Sequence, residues 1–206
     1  MALVAKCRGR AEQMTEGATA AMALLPSALT DCERGEAVLV FLHADSALPP
    51  GFADSVRRAL APDERRAPTP RWGAFEQLCI EGEGQAQRWL LGVVSHTASL
   101  RARLLCAPYG DQALFVTYAA FVTALGARFE GDFMEDVEAV RRLRRRCGRP
   151  AFAHGAVATS GRRFEELGVL RAVCLNQLIV VAWGLGVDTA VLKQCYTAAR
   201  RLGGLR

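Results

Sequence analysis

The sequence predicts an α/β domain in which helices flank a mixed, mainly parallel sheet. Apolar residues make up 51% of the 206 residues and charged residues 23%, which is typical of a folded globular domain and excludes a disordered chain. Helical apolar spacings alternate along the chain with short apolar runs. The run 37–42 has six consecutive apolar residues, which favours a strand covered on both faces, as in a parallel sheet. We expect one domain over residues 1–206.

The elements of the first half follow from apolar spacing and from helix-breaking residues. The predicted elements, in chain order, are an alanine-rich helix over 11–28, a polar connector over 30–36, the strand 37–42, a short helix opened by Pro49-Pro50-Gly51 and a mobile loop over 61–71. The segment 1–36 thus leads into the sheet-bearing segment 37–165.

The second half continues the same alternation. We expect strands over 72–80, 112–117 and 151–159, helices over 85–105 and 134–146, and two C-terminal helices within 166–206. The helix 134–146 has acids in its first turn and arginines in its last, which suits the helix dipole. The final helix is expected to begin at an Asp188 cap and to end before Gly203.

The chain shows no signal for export or for membrane insertion. The longest nearly uncharged apolar stretch, 173–187, is shorter than the roughly 18–20 residues that cross a bilayer, and the N-terminus lacks the apolar core of a secretory signal. The seven cysteines include no CxxC pair, so we expect reduced thiols and a cytoplasmic protein.

The helix around residues 170–187 leaves two alternatives open. Its apolar residues favour packing against the sheet. The neighbouring basic residues Arg162, Arg163, Arg171 and Lys193 would instead suit peripheral contact with a membrane surface.

The net charge of +5 comes largely from arginine, with the densest run at 141–146. Such a chain can bind polyanions. Because no aromatic residues are interleaved with that run, we do not expect a nucleic-acid partner.

Two acidic positions can carry chemistry. Asp45 directly follows the strand 37–42, where a carboxylate can hold a divalent cation and, through it, a pyrophosphate. Glu135 and Asp136 open a helix, where one carboxylate can act as a general base. The structural alternatives are a turn aspartate at Asp45 and a first-turn acid pair that only stabilises the helix dipole.

Two further polar segments punctuate predicted strands. Gly110-Asp111-Gln112 precedes the strand 112–117, and Ser160-Gly161-Arg162-Arg163 follows the strand 151–159. A guanidinium at the second position can clamp a phosphate through two parallel hydrogen bonds. The alternatives are an ordinary turn and a solvated basic turn.

Taken together, these segments resemble the family 2 glycosyltransferases of GT-A fold, and most closely the subgroup called arsenosugar-biosynthesis or selenodomain-associated glycosyltransferases. The resemblance covers roughly residues 7–196. Its motifs, in order, are Leu42-His43-Ala44-Asp45-Ser46, Trp72-Gly73, Gly110-Asp111-Gln112, Met134-Glu135-Asp136-Val137-Glu138, Gly148-Arg149-Pro150-Ala151 and Thr159-Ser160-Gly161-Arg162-Arg163-Phe164-Glu165.

The resemblance implies transfer of a sugar from a nucleotide-diphosphate sugar to an acceptor hydroxyl, with inversion, assisted by Mg²⁺ or Mn²⁺. By this resemblance Asp45 binds the metal, with His43 at the other acidic position of the family's DxD-like motif. Asp136 takes the place of the catalytic base, with Glu135 beside it.

The resemblance also implies binding residues for donor and acceptor. Trp72, Gly110, Asp111 and Gln112 match the substrate side of the cleft, and Arg8, Arg10, Arg162 and Arg163 match positions near the donor diphosphate. For His154 two alternatives remain, a late metal ligand and a structural residue in its strand.

Members of that family begin with further strands and an Asp-rich turn that hold the nucleotide base. This chain starts after them, so we expect the true start to lie upstream. The functional alternative is a catalytically inactive, glycosyltransferase-like binding or scaffold protein that has lost the nucleotide-binding half.

Overall fold

The computed structural model describes residues 9–62, 69, 71–82 and 85–203. They form a mixed α/β fold with one five-stranded sheet. Most of the predicted loop 61–71 lies outside these residues. Within them, none of the helices combines the length and the apolar character needed to cross a membrane.

The strands are β1 (Val38–Phe41), β2 (Ser46–Ala47), β3 (Trp72–Glu81), β4 (Leu114–Thr117) and β5 (Ala151–Ser160). The helices are α1 (Arg10–Ala23), α2 (Asp31–Glu36), α3 (Phe52–Leu60), α4 (Gln85–Leu105), α5 (Tyr118–Leu125), α6 (Glu135–Cys147), α7 (Arg162–Leu167), α8 (Val169–Gly184) and α9 (Thr189–Gly203), with a 3₁₀ turn at Gly110–Gln112.

The sheet is mixed, but the expectation that it is mainly parallel is wrong. Its strand order is β1-β4-β3-β5-β2, and in the described part of the chain only β3 and β5 pair in parallel. The other three pairs are antiparallel. The reason is that β4 runs opposite to β1 and β3 and lies between them, although β1, β3 and β5 share one direction.

The strand β1 is an edge strand, and its two faces are only partly covered, with Leu39 packed in one core cluster and Val40 against another. It pairs with β4 alone among the described strands, and Leu39 is its one buried residue. The Phe41 ring packs against Phe121 and Phe129, with centroid distances of 5.8 and 4.7 Å. One face of β1 is therefore covered by apolar residues of α5 and of the segment after it.

The helix α4 covers the edge of β3 beyond the end of β4. Strand β4 pairs with β3 at Trp72 and Gly73. Further along β3, the backbone N–H of Leu78 donates to the Ser99 hydroxyl at 3.1 Å and that of Ile80 to the Ser95 hydroxyl at 3.0 Å. These serines satisfy edge donors that would otherwise remain unpaired in a partly buried site.

Elements with strong local signals agree with prediction, and most differences lie between them. The bounds of β3, α4, α6 and β5 match within one residue, and the Asp188 side chain accepts from the backbone N–H of Ala190 at 2.8 Å, at the start of α9. The helix predicted over 11–28 ends at Ala23. Three C-terminal helices form instead of two, because Gly168, at φ 78°, separates α7 from α8.

The helix α8 packs mainly against α4, α7 and α9. At the start of α8, Val169 packs against the apolar cluster of Leu78, Ile80 and Leu91, which includes two residues of β3. The predicted packing on the sheet is therefore seen at the start of this helix, and its main contacts are with other helices.

Candidate functional site

Three chain segments meet at the imidazole of His43, just beyond β1. Arg10, at the start of α1, places Nη2 2.6 Å from His43 Nε2 and Nε 2.9 Å from Glu135 Oε1. Gly110, in the 3₁₀ turn, donates its backbone N–H to Asp136 Oδ2 at 2.9 Å. We call Arg10, His43, Gly110, Glu135 and Asp136 the polar cluster.

The absence of a side chain at Gly110 permits this convergence. A Cβ atom at this position would lie 2.8 Å from His43 Nε2 and 2.9 Å from Asp136 Oδ2, both closer than Cβ atoms normally approach. A side chain at residue 110 would therefore have to displace His43 and Asp136 from the positions that they take in the polar cluster.

Asp45 and Arg163 lie at the margin of the polar cluster. The two-residue pairing of β2 with β5 places the start of β2, which Asp45 precedes, beside the end of β5, which Arg163 follows. The backbone N–H of Ser160 also donates to the Asp45 carbonyl oxygen at 3.2 Å. The pKa of His43 is lowered, mainly by burial and next by the charge of Arg10, with a smaller lowering effect from Arg163. The charges of Asp136 and Asp45 raise this pKa in part. Asp45 and Asp136, distant in sequence, thus act on one imidazole.

The two acids at the start of α6 differ in environment. Glu135 is buried, and burial raises its pKa, although Arg10 partly offsets the effect. Its Oε1 lies near Arg10 Nε without hydrogen-bond alignment. Asp136 is less buried, and its oxygens accept from the backbone N–H groups of Gly110 and Val137, each at 2.9 Å. Asp136 therefore has the more firmly oriented carboxylate of the two.

Asp111 and Gln112 belong to the wall behind the polar cluster. Burial raises the pKa of Asp111, while Arg101 lowers it and Asp136 raises it further. Gln112 is fully buried and its Nε2 donates to the Phe75 carbonyl oxygen at 3.1 Å. This bond ties the 3₁₀ turn to β3, so the Gln112 amide nitrogen has a structural role.

Sequence reasoning did not identify Arg101 and Tyr109 as neighbours of the candidate site. The Arg101 guanidinium stacks on the Tyr109 ring, 3.8 Å from its centroid, and its charge acts on Asp111. Arg101 belongs to α4, whereas Tyr109 follows the turn at Cys106, a residue with φ 51°. The spacing of α4 contains no signal for this contact.

The structure does not bring Trp72 to the polar cluster. This side chain is fully buried within the core, and its indole N–H donates to the Gly148 carbonyl oxygen at 3.1 Å. Its expected contact with substrate is corrected on this ground, because a ring without accessible surface cannot touch a ligand.

Two other residues predicted for the site, Arg162 and His154, have their described contacts away from the polar cluster. Arg8 lies outside the described residues. Arg162 is exposed and its charge acts on Glu166 of α7. His154 is exposed and its Nδ1 lies 2.6 Å from Glu76 Oε1, so its described contact is to β3 rather than to a metal site.

The donor atoms fit a hard cation at Asp45, whereas one ring nitrogen of His43 is engaged by Arg10. Asp45 offers an exposed carboxylate, and Mg²⁺ is commonly held by one or two carboxylates plus phosphate oxygens and water. His43 Nε2 is already paired with Arg10. Within the described ranges, no three His, Cys, Asp or Glu side chains group as metal ligands. The Arg10 contact occupies Nε2 of His43, so a metal ion would have to displace Arg10 to bind at this nitrogen.

Comparison of the chain with models of protein families, with curated proteins and with solved structures finds no match.

Proposed function

We propose that this chain is a glycosyltransferase of GT-A type that moves a sugar from a nucleotide-diphosphate sugar to an acceptor hydroxyl with inversion. One observation carries the proposal. The polar cluster joins Arg10, His43, Gly110 and Asp136, which come from separate chain segments and belong to the motifs of the resemblance. Random polar turns would not be expected to converge in this way.

In the proposed reaction Asp136 accepts the proton of the acceptor hydroxyl. As the acceptor oxygen bonds to the anomeric carbon, the bond from that carbon to the diphosphate oxygen breaks and the electron pair leaves with the diphosphate. The N–H groups of Gly110 and Val137 hold the carboxylate in one orientation, and its remaining lone pairs can receive the proton.

The charges around the polar cluster support a requirement for a divalent cation. Four cationic side chains, Arg10, Arg101, Arg163 and Lys193, lie near four carboxyl groups, Asp45, Asp111, Glu135 and Asp136. A diphosphate would meet carboxyl groups as well as cations here. Mg²⁺ or Mn²⁺ held by Asp45 would stabilise the negative charge of the leaving group.

A second candidate is a glycosyltransferase-like protein that binds ligands without catalysis. The observation that favours it is the internal pairing of the polar cluster. Arg10 links His43 and Glu135, and both oxygens of Asp136 already accept backbone N–H bonds. Groups engaged with each other in this way can be structural.

The test is release of nucleoside diphosphate from a panel of nucleotide sugars in the presence of Mg²⁺ or Mn²⁺. We expect Asp136→Asn to lower turnover at least about 100-fold, since general-base catalysis contributes about that much. We expect Asp45→Asn to lower it at least about 100-fold as well, since stabilisation of the leaving group by a bound cation is worth several kcal/mol. Asp54→Asn is the matched control, because Asp54 is an exposed acid paired with Arg57 on α3.

The binding candidate makes a different prediction in the same experiment. The binding candidate is supported if calorimetry shows that the wild type binds a nucleoside diphosphate and the assay shows that it turns over none of the nucleotide sugars. If the wild type neither binds nor turns over any donor, both candidates fail.

A further inference from the structure

The helix α8 turns an apolar stripe away from the rest of the protein. Of its 16 residues, Ala172 and Ile179 are buried. On the opposite face, Leu170 is 74% exposed, Leu178 67% and Leu185 81%. The α8 stripe consists of Leu170, Cys174, Leu178, Val181 and Leu185. These positions recur every three or four residues, so they share one helix face, and exposed apolar faces mark interaction sites.

Of the helices that pack against α8, α4 and α9 contain no acidic residue, whereas α7 contains Glu165 and Glu166. Neither α8 nor its packing partners α4 and α9 include Asp or Glu. Three of their basic residues, Arg88, Arg171 and Arg201, are exposed and take part in none of the described ion pairs. Arg103, Lys193 and Arg200 are each paired with an acid, and Arg101 lies near the polar cluster. The exposed surface of these helices therefore combines apolar residues with positive charge that is left unpaired among the described residues.

The acids that flank α8 in sequence reduce this positive charge only in part. Glu166 of α7 pairs with Arg200 at 2.5 Å, and Asp188 accepts the backbone N–H of Ala190 at the start of α9. Glu165 is exposed on α7. Arg171, on α8 itself, is also exposed.

We propose that the α8 stripe docks this protein onto an anionic lipid bilayer, with α8 lying parallel to the surface. The apolar side chains enter the boundary between headgroups and acyl chains, and the neighbouring cations meet lipid phosphates. Trp89, 70% exposed on the adjacent α4, is of the residue type that favours the headgroup level. The proposal is independent of glycosyl transfer.

A second copy of the chain is a poorer occupant for this face. A two-fold interface places the same surface patch of both copies together. The arginines of α4 and α8 would then meet arginines, and the nearest acids are on α7, where Glu166 is already paired with Arg200 and Glu165 is the other carboxylate. An anionic bilayer supplies the missing negative charge.

The test is sedimentation of the whole chain with vesicles of phosphatidylcholine that contain phosphatidylserine. We expect binding at least about tenfold weaker to vesicles of phosphatidylcholine alone, because a basic side chain near an anionic surface contributes about a fivefold factor. The double variant Leu178→Gln, Leu185→Gln is expected to bind anionic vesicles at least about tenfold more weakly. Arg171→Gln is expected to weaken binding about fivefold.

The matched control is Leu24→Gln, because Leu24 is an exposed apolar residue at the end of α1, outside the proposed surface. Circular dichroism verifies that each variant is folded, which is expected for exposed positions. The proposal is overturned if the wild type does not sediment with anionic vesicles, or if the double variant and Leu24→Gln bind equally well. It is also overturned if the wild type forms a dimer that the double variant abolishes and binds no vesicles.

Discussion

At the scale of single residues, Gly110 decides whether the polar cluster can form. We expect Gly110→Ala to lower the free energy of unfolding by about 1–3 kcal/mol, because the added methyl group overlaps His43 and Asp136. If the proposed reaction holds, turnover falls with it, since Asp136 loses its orientation. Urea denaturation measures the first effect.

The control for Gly110 is Gly92→Ala. A Cβ atom at Gly92 meets nothing within 4 Å, and the residue lies inside α4. Alanine should stabilise this helix by about 0.5–1 kcal/mol. Equal changes in the two variants would show that the contacts of Gly110 with His43 and Asp136 do not constrain the fold.

The buried carboxyl group of Asp111 predicts a pH dependence of stability. Burial raises its pKa above the ordinary value of 3.8, so the folded state keeps the proton to higher pH than the unfolded state does. The stability that this proton provides is complete below pH 3.8 and is lost as the pH rises through the folded pKa.

We therefore expect Asp111→Asn to gain stability relative to the wild type as the pH rises above 3.8, because the variant has no proton to lose. Free energies of unfolding in urea, measured for both proteins from acidic to neutral pH, test this. A difference that stays constant over the range, or that shifts towards the wild type, contradicts the burial of a charged Asp111.

Part of the candidate site was predictable from the motifs of the family resemblance. Asp136, His43 and Arg10 were named from motif positions, and the structure brings them together. The prediction for Trp72 was wrong because the sequence alone does not distinguish an aromatic residue that lines a cleft from one that fills a core. The Arg101–Tyr109 stack depends on a chain reversal that no local spacing encodes.

At the scale of elements, α4 stabilises β3 through two serine hydroxyls. We expect Ser95→Ala to lower the free energy of unfolding by about 1–3 kcal/mol, since it leaves the backbone N–H of Ile80 without its acceptor in a buried position. The measurement is denaturant unfolding monitored by circular dichroism.

Thr97→Ala serves as the comparison on the same helix. Its hydroxyl donates to the Val94 carbonyl oxygen on the exposed side of α4, so its removal should change stability by less than about 0.5 kcal/mol. If Ser95→Ala is as mild as Thr97→Ala, the serine does not protect the edge of β3.

Elements with a clear period were predictable, and short elements between them were not. The helix α4 and the strand β5 carry long patterns and were predicted almost to the residue. The helix α5 was missed because its apolar sequence has no polar face to reveal a helical period, although Thr117 caps it. The helix α2 was missed because its six residues read as a connector, despite the capping box of Thr30 and Glu33.

At the scale of the whole molecule, the direction of each strand depends on contacts distant in sequence. The apolar run of β1 predicted a strand of a parallel sheet covered on both faces, whereas β1 pairs with β4 in antiparallel fashion and lies at the edge of the sheet. Composition specifies that β1 is apolar but not which strand lies beside it. The mixed α/β class was therefore predictable, and the order of the sheet was not.

The single guanidinium of Arg10 has a consequence for the molecule as a whole. It holds His43 after β1 and Glu135 in α6 at the same time, from the first residue of α1. An anion that attracts this guanidinium would weaken both contacts in one event. Occupancy of the site would then be thermodynamically linked to the position of the first helix, and a probe attached to that helix would report it.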